Sequence, residues 1–458
     1  MPSLSIVILA AGQGTRMKSA MPKVLHRIAG KAMLQHVIET AMSLSPSRVV
    51  VVYGHGGEQV PTALKNFAQL SWVKQEPQLG TGHAVLQAMP LVNQTDTTLI
   101  LYGDVPLISA TTLGRLVACA NDNQLAWLTH EVKDPAGLGR IIRDQTGSAC
   151  EIVEEKDASV SQREIHEINT GFIACPTKWL ARWLPNLGNR NAQGEYYLTD
   201  ILKQAVSEGL RITTQSPTDD WEVVGINNKN QLATLERTFQ SLQAAQLMDA
   251  GVTLLDPARV DIRGTLECGS DVTIDANVLV EGAVRLGQGV RIGANCILRD
   301  CRIGDGTEIH PFTLIESADI GTNTRIGPYA RIRPGTTLAD DVHIGNFVEI
   351  KASNIGEGSK ANHLSYVGDT SVGTNVNIGA GTITCNYDGA NKHRTIIGDN
   401  VHIGSDVQLV APVTINAGAT IAAGTTVWKD APADCLTLNP KSQISTLGWK
   451  RPTKPPKG

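Results

Sequence analysis

A branched aliphatic residue recurs every six positions through the second half of this chain. Val280, Leu286, Ile292 and Leu298 keep the interval, as do Ile326, Ile332, Leu338, Ile344 and Ile350, and again Ile397, Ile403, Leu409, Ile415, Ile421 and Val427. Neither the helical period nor the strand period alone produces such a series. It marks a hexapeptide β-helix, in which each six-residue segment makes one short flat strand and one corner, and three segments close a coil of about 18 residues. The aliphatic side chain points inward, and Gly or Asn takes the left-handed backbone that a corner needs. One coil cannot bury its own apolar face, so coils must stack. Ile262 to Val427 leaves room for about nine, a prism about 43 Å long at roughly 4.8 Å per strand spacing.

A chain of 458 residues exceeds what one hydrophobic core supports. The first 226 residues alternate short apolar runs with amphipathic stretches: candidate strands Ser5–Ala10, Arg48–Tyr53, Thr98–Tyr102, Leu125–Thr129, Asn169–Ala174 and Glu222–Ile226, with helices over Met33–Ser43, His83–Met89, Thr111–Ala120 and Leu198–Ser207. Such alternation predicts a mostly parallel, Rossmann-like sheet with ligands at the carboxyl ends of its strands. Leu232, Leu235, Phe239 and Leu242 predict a connecting helix over Asn230–Ala250. The expected fold is therefore α/β plus all-β: an α/β domain over 1–229, a linker helix over 230–250, and a left-handed β-helix over 251–458. Gly448–Gly458 carries four basic residues and three prolines and is expected to be a mobile tail.

A net charge of -4 and a pI near 6.3 argue against nucleic acid or a membrane surface as the main partner. Ligands are to be sought in pockets. The eight cysteines, Cys119, Cys150, Cys175, Cys268, Cys296, Cys301, Cys385 and Cys435, contain no C-x-x-C pair and no zinc spacing, which suits free thiols in a reducing compartment. No signal-like N-terminal series is present and no apolar run approaches 18 residues, so a cytoplasmic enzyme without membrane insertion is the simplest class.

Residues 9–23 read LAAGQGTRMKSAMPK directly after the first strand. A Gly-containing turn there lets backbone N–H groups approach phosphate oxygens, and Arg16 and Lys23 supply positive charge. The pattern is neither a dinucleotide fingerprint nor a P-loop, and the residues alone leave a plain strand-to-helix turn open. In LILYGDVPL, Asp104 ends an apolar strand, where a carboxylate can hold Mg²⁺ and leave other positions to water and phosphates; a turn Asp is the other reading. Asn227 follows the run Glu222–Ile226, and Gln75, Gly80 and Thr81 lie in KQEPQLGTGHA, where an amide offers a base edge both a donor and an acceptor.

Taken in order, LAAGQGTRM with Lys23, QEPQLGTGHA, LYGDVPL, GLGRI, VEEKD and EINTGF resemble the nucleotidyltransferase fold of sugar-phosphate pyrophosphorylases. Joined to a hexapeptide β-helix, they resemble the family of bifunctional enzymes that unite N-acetylglucosamine-1-phosphate uridyltransferase with glucosamine-1-phosphate N-acetyltransferase, over about residues 5 to 450. The resemblance implies that 1–229 transfers the uridylyl group and 251–458 the acetyl group, with Mg²⁺ as cofactor and UTP and acetyl-coenzyme A as co-substrates. Leu9, Ala11, Gly12, Arg16 and Lys23 would line the UTP triphosphate, Gln75, Gly80 and Thr81 would recognise uracil, and Tyr102 would line the same nucleotide-sugar site. Gly139, Glu154 and Asn169 would bind the amino sugar, and Asp104 and Asn227 would hold the metal, Asn227 also touching the sugar. Nucleotidyl transfer needs in-line geometry and charge neutralisation rather than a protein nucleophile, so direct attack of the sugar-1-phosphate oxygen on the α-phosphorus is expected.

The second site is expected where the period of six fails. Spacing shortens to five at Leu298–Ile303, Ile350–Ile355 and Val367–Val372, and stretches to 19 between Ile378 and Ile397, a gap that holds the polar loop AGTITCNYDGANKHRT, 380–395. Ligands of repeat proteins gather on such loops. Attack by an amine on a thioester needs a base, and His is the usual side chain near neutral pH. Pattern alone does not separate His363 from His310, His343, His393 and His402; the resemblance selects His363. It further implies that Arg333, Lys351, Tyr366 and Asn377 bind the sugar phosphate, and that Ala380, Asn386, Tyr387, Ser405 and Ala423 contact acetyl-coenzyme A. Cys385 needs no nucleophilic role if the amine attacks directly. The family's basic residue beyond the last coil aligns with Pro440, leaving Lys441, Lys450 or Arg451 as substitutes. The resemblance implies a homotrimer with acetyl sites between neighbouring prisms. A single-activity pyrophosphorylase with an assembling β-helix, and a non-catalytic solenoid, remain as alternatives.

Overall fold

The computed structural model describes residues 3–440 and 442–452. Lys441 and the last six residues of the tail lie outside them. Two compact units divide the chain, Met1–Leu242 and Gln243–Gly458.

The first unit is built on a nine-stranded sheet, β1 (Leu4–Ala10), β2 (Arg48–Tyr53), β3 (Ser71–Lys74), β4 (Thr97–Tyr102), β5 (Gln124–Glu131), β6 (Arg140–Arg143), β7 (Ala149–Val153), β8 (Glu167–Pro176) and β9 (Arg211–Gln215). Its main path runs β9-β5-β8-β4-β1-β2-β3, with β6 pairing both β8 and β7. β1 is apolar on both faces because both are covered: Ile6 and Ile8 join one core with helix Met33–Ser43, while Val7 and Leu9 join another with helix Thr81–Ala88. β1, β2, β3 and β4 are parallel, so their carboxyl ends share one edge. β8 runs antiparallel to β4 and β5, which brings its amino-terminal residues to that same edge.

The expected strand Glu222–Ile226 is not one. Residues Asp220–Val223 form a 3-10 helix instead, because the buried Glu222 carboxylate accepts hydrogen bonds from the amides of Ser109, Thr218 and Asp219 and from the Thr112 hydroxyl. A side chain that caps four donors outweighs local strand propensity. Asn227 still reaches the site edge, since the Ile226 amide donates to the Asp104 carbonyl at 3.0 Å. The connecting helix spans Lys229–Asp249; Leu232, Leu235 and Phe239 pack in the first unit, and Ala244 and Leu247 in the core of the second.

The second unit is a left-handed parallel β-helix. One face carries eleven strands in single file, from Thr253–Leu254 to Leu436–Thr437, so coils extend past both ends of the Ile262–Val427 run. Every aliphatic residue in the six-residue series lies in its buried core. Regular coils take 17 or 18 residues, as the pairings Ile292↔Ile309 and Ile326↔Ile344 show, and the coil that carries the loop takes 25, as Ile378↔Ile403 shows; each five-residue interval belongs to a 17-residue coil. In the gap from Ile378 to Ile397, strand Ile383–Cys385 keeps the prism going. Its inward residue is the buried Thr384, whose hydroxyl accepts from the Gly368 amide at 2.7 Å. A polar inward residue hides one turn of the period, so the projecting loop is confined to about 386–394. Corners use Asn as expected, among them Asn277 and Asn295, but also Asp300, Phe312, Tyr329, Phe347 and Leu364, all at positive φ.

Two candidate active sites

The first site opens at the shared edge of the parallel strands as a cavity of about 460 Å³. Leu9, Ala11, Gly12, Lys23, Gln75, Gly80, Thr81, Tyr102 and Asp104 all line it. The loop after β1 folds over Lys23 because Gly14 has φ +63° and a Cβ there would sit 2.6 Å from that of Lys23. Lys23 Nζ donates to both Asp104 Oδ2 and Asn227 Oδ1, the latter at 2.7 Å, while Arg16 donates to Asn227 Oδ1 at 2.9 Å. A cation thus already bridges the two oxygen ligands expected for the metal. The donor set is one carboxylate and one amide, all oxygen, which fits a hard divalent ion that retains water and phosphate ligands. Among the described residues no cluster of three or more His, Cys, Asp or Glu forms a metal cage.

Gln75 departs in detail from the expected reading. Its Nε2 is spent on the Gly80 carbonyl at 2.9 Å and on His83 Nδ1 at 3.1 Å, so a base would meet its carbonyl oxygen only. Gly139, Glu154 and Asn169 meet beside the cavity: the Asn169 amide donates to the Gly139 carbonyl at 2.8 Å, and Glu154 lies within contact of Gly139. Burial raises the Glu154 carboxyl above its usual range, against the pull of the Thr199 hydroxyl. Burial likewise raises the Tyr102 phenol, helped by Glu154 and Asp104. Trp127 and Thr199 were not singled out from sequence. Trp127, fully buried on β5, donates from Nε1 to Asn169 Oδ1 at 2.8 Å, and the Gly171 amide donates to the same oxygen. The Asn169 NH₂ is therefore the end left for a sugar oxygen.

The second site lies along the prism. Registers Ala361↔Ile378, Ile378↔Ile403 and Ile403↔Ile421 place His363, Ala380, Ser405 and Ala423 in one outward row on successive coils. Beyond the imidazole the row presents only the small side chains of Ala380, Ser405 and Ala423. On the face beyond the corner at Leu364, Arg333 pairs with Glu349 at 2.7 Å and Lys351 with Asp369 at 3.2 Å. Asn386 Nδ2 donates to the same Asp369 oxygen and lies 3.4 Å from the Tyr366 hydroxyl. Lys392, also missed, lies beside Lys351, whose ammonium pushes Lys392 below its usual range. Asn377 is set apart from this network, paired in register with Lys360 and His402. Asp388 stiffens the loop, accepting from the Ala390 and Asn391 amides and from His393. Tyr387 is largely exposed on it. Burial raises the Cys385 thiol, which weakens it as a nucleophile. Lys450 and Arg451 are exposed. All eight cysteines are free, and among the described residues no helix is long and apolar enough to cross a membrane.

A phosphate-edge α/β unit followed by a hexapeptide prism with its own polar site defines a two-part transferase. Residues 6–205 match the MobA-like NTP transferase domain, 262–355 the GMPPB C-terminal domain, and 394–427 the bacterial transferase hexapeptide. The chain is 58% identical over its full length to the bifunctional protein GlmU of Nitrosospira multiformis, covering 99% of that protein. It is 57% identical to that of Aromatoleum aromaticum and 56% to that of Burkholderia mallei, each over 98% of this chain and 99% of the relative. The chain belongs to the bifunctional GlmU family and is a transferase with a nucleotidyltransferase and a hexapeptide acyltransferase domain.

Proposed function

We propose how the two sites divide the synthesis of UDP-N-acetylglucosamine, which this bifunctional transferase carries out by acetyl and uridylyl transfer. On the prism, the amine of glucosamine-1-phosphate attacks the thioester carbonyl of acetyl-coenzyme A while His363 takes its proton; the C–S bond breaks and the coenzyme A thiolate leaves. Arg333, Lys351 and Tyr366 hold the sugar phosphate from one face, and Asn377 reaches it from the face that carries His363. The row Ala380, Ser405 and Ala423 takes the extended pantetheine arm, with Asn386 and Tyr387 closing over it. In the first unit, a phosphate oxygen of N-acetylglucosamine-1-phosphate attacks the α-phosphorus of UTP, and the bond to the β-phosphate breaks to release pyrophosphate.

Leu9, Ala11, Gly12, Arg16 and Lys23 bind the triphosphate, Gln75, Gly80 and Thr81 the uracil, and Tyr102, Gly139, Glu154, Asn169 and Asn227 the sugar side. Asp104 and Asn227 hold Mg²⁺, which when bound neutralises charge developing on the phosphates. The observation that carries this reading is the meeting of Arg16, Lys23, Asp104 and Asn227 at the shared strand edge. The test is to give the purified chain glucosamine-1-phosphate, acetyl-coenzyme A, UTP and Mg²⁺. Coenzyme A, pyrophosphate and UDP-N-acetylglucosamine are expected in equal amounts; release of coenzyme A without the UDP-sugar, or the reverse, would sink the two-site scheme. The enzyme works in the cytoplasm, where these substrates and free thiols coexist.

A homotrimer completes the prism site. Phe312, Tyr329 and Phe347 stack at centroid distances of 4.8 and 5.3 Å along one corner, with Leu364 next, and all four are about half exposed or more. Bulky residues at positive φ carry backbone strain that persists where surroundings over-determine it, and a contiguous apolar edge favours cover by protein. His363 and Tyr366 straddle this edge on different faces of one prism, so a neighbouring copy is needed to enclose a small substrate touched by both. Phe347→Asp is expected to shift the sedimenting species from three chains to one and to abolish acetyl transfer with uridylyl transfer kept; an intact trimer would overturn this interface.

A further inference from the structure

We infer that Asn346 is a positioning residue for acetyl transfer: it selects the tautomer of His363 whose bare Nε2 faces the reacting amine. The inference rests on His363 as the base. Asn346 and His363 end the strands His343–Asn346 and Lys360–His363 and are direct register partners on adjacent coils. Gly345 lets those coils close up, since a Cβ there would lie 2.0 Å from the Asn362 carbonyl oxygen. Asn346 Oδ1 then sits 2.9 Å from His363 Nδ1.

An amide oxygen only accepts, so Nδ1 must carry the proton and Nε2 the lone pair. Nε2 has no hydrogen-bond partner among the described residues, and the small side chain of Ala380 follows it along the row. The titratable and charged groups on the elements around it are His343, His310, Arg325 and Lys360, with Glu308 and Asp341 lining the groove beside His343. Asn346 is the acceptor that Nδ1 meets. A neutral acceptor fixes the proton's place without adding the negative charge that would favour the imidazolium.

The experiment compares full-length Asn346→Ala and Asn346→Asp with the wild type and His363→Ala, each checked for trimer mass and melting temperature. Asn346→Ala is expected to lower kcat for acetyl transfer about 10- to 100-fold, the usual loss when an orienting partner is removed, with both KM values held. Ring-nitrogen shifts of labelled His363 should lose the Nδ1–H signature. Asn346→Asp keeps an acceptor, so it should rescue kcat at high pH and move the acid limb of kcat/KM upward. The inference falls if Asn346→Ala keeps the wild-type kcat and ring signature, if it raises only the sugar KM, or if Asn346→Asp leaves the acid limb in place. Should His363→Ala retain acetyl transfer, the base assignment itself is what fails.

Discussion

Asp104→Ala is expected to lower uridylyl transfer on the order of 10³-fold while the chain still acetylates glucosamine-1-phosphate. Asp104 supplies the single full negative charge among the oxygens that Lys23 now bridges. Without it, Asn227 offers a divalent ion one neutral amide, and several kcal/mol of charge stabilisation at the phosphates goes with the lost cation, at about 1.4 kcal/mol per tenfold in rate. Lys23 also loses its ion-pair partner and its fixed direction. Two measurements check the assignment: pyrophosphate release from UTP and N-acetylglucosamine-1-phosphate, and Mn²⁺ binding followed without turnover. Wild-type pyrophosphate release would reject the role of Asp104, and loss of both reactions in a folded chain would reject independent sites.

How far the sequence reaches depends on whether a partner's distance along the chain is fixed. The β-helix is legible because its inward residues are set by a period that does not require knowing the rest of the fold. Asp104 is placed because strand ends in a parallel sheet converge on one edge, whereas Lys23 stands in a short helix beyond the first strand's loop and is picked out by its charge and by the resemblance. Asn346 is not, because its pairing with His363 depends on a 17-residue coil; a strict 18-residue repeat would set Gly345 opposite the histidine. Asp369 is hidden for the same reason, since it meets Asn386 across the coil that carries the loop. Trp127 reads as an ordinary apolar strand residue, and only the bulge of β8 between Asn169 and Ile173 turns the Asn169 oxygen onto its indole.

The misread strand at Glu222–Ile226 and the hidden turn at Thr384 share one cause. In both, a buried polar side chain satisfies backbone or hydroxyl groups that the hydrophobic pattern ignores. Hydrophobic periodicity reports what leaves water, whereas a buried carboxylate or hydroxyl reports which donors would otherwise stay unpaired. The bulky left-handed corners reverse the case. Asn and Gly are chosen where backbone conformation alone decides, and Phe312, Tyr329 and Phe347 stand where stacking along the corner offsets the strain.

His363→Ala is the complementary prediction: acetyl transfer should fall by about 10²- to 10⁴-fold, the contribution of a well-placed general base, and uridylyl transfer from UTP to N-acetylglucosamine-1-phosphate should keep its rate. Direct attack leaves the amine proton with nowhere to go until after the carbonyl carbon has been bonded, so the step that His363 relieves is the loss of that proton in the transition state. His343 does not replace it, because it stands in another row, in register with Arg325 and Lys360. His393 is held by Asp388 at 2.7 Å. Coenzyme A release with the purified sugar-1-phosphate measures the first reaction, and UDP-sugar formation from the acetylated substrate measures the second. A variant that acetylates at the wild-type rate would leave the prism as an assembly scaffold joined to a single-activity pyrophosphorylase. Loss confined to acetylation, in a folded chain that still binds acetyl-coenzyme A, assigns the proton transfer to the row that begins at Asn346 and runs through His363 to Ala423.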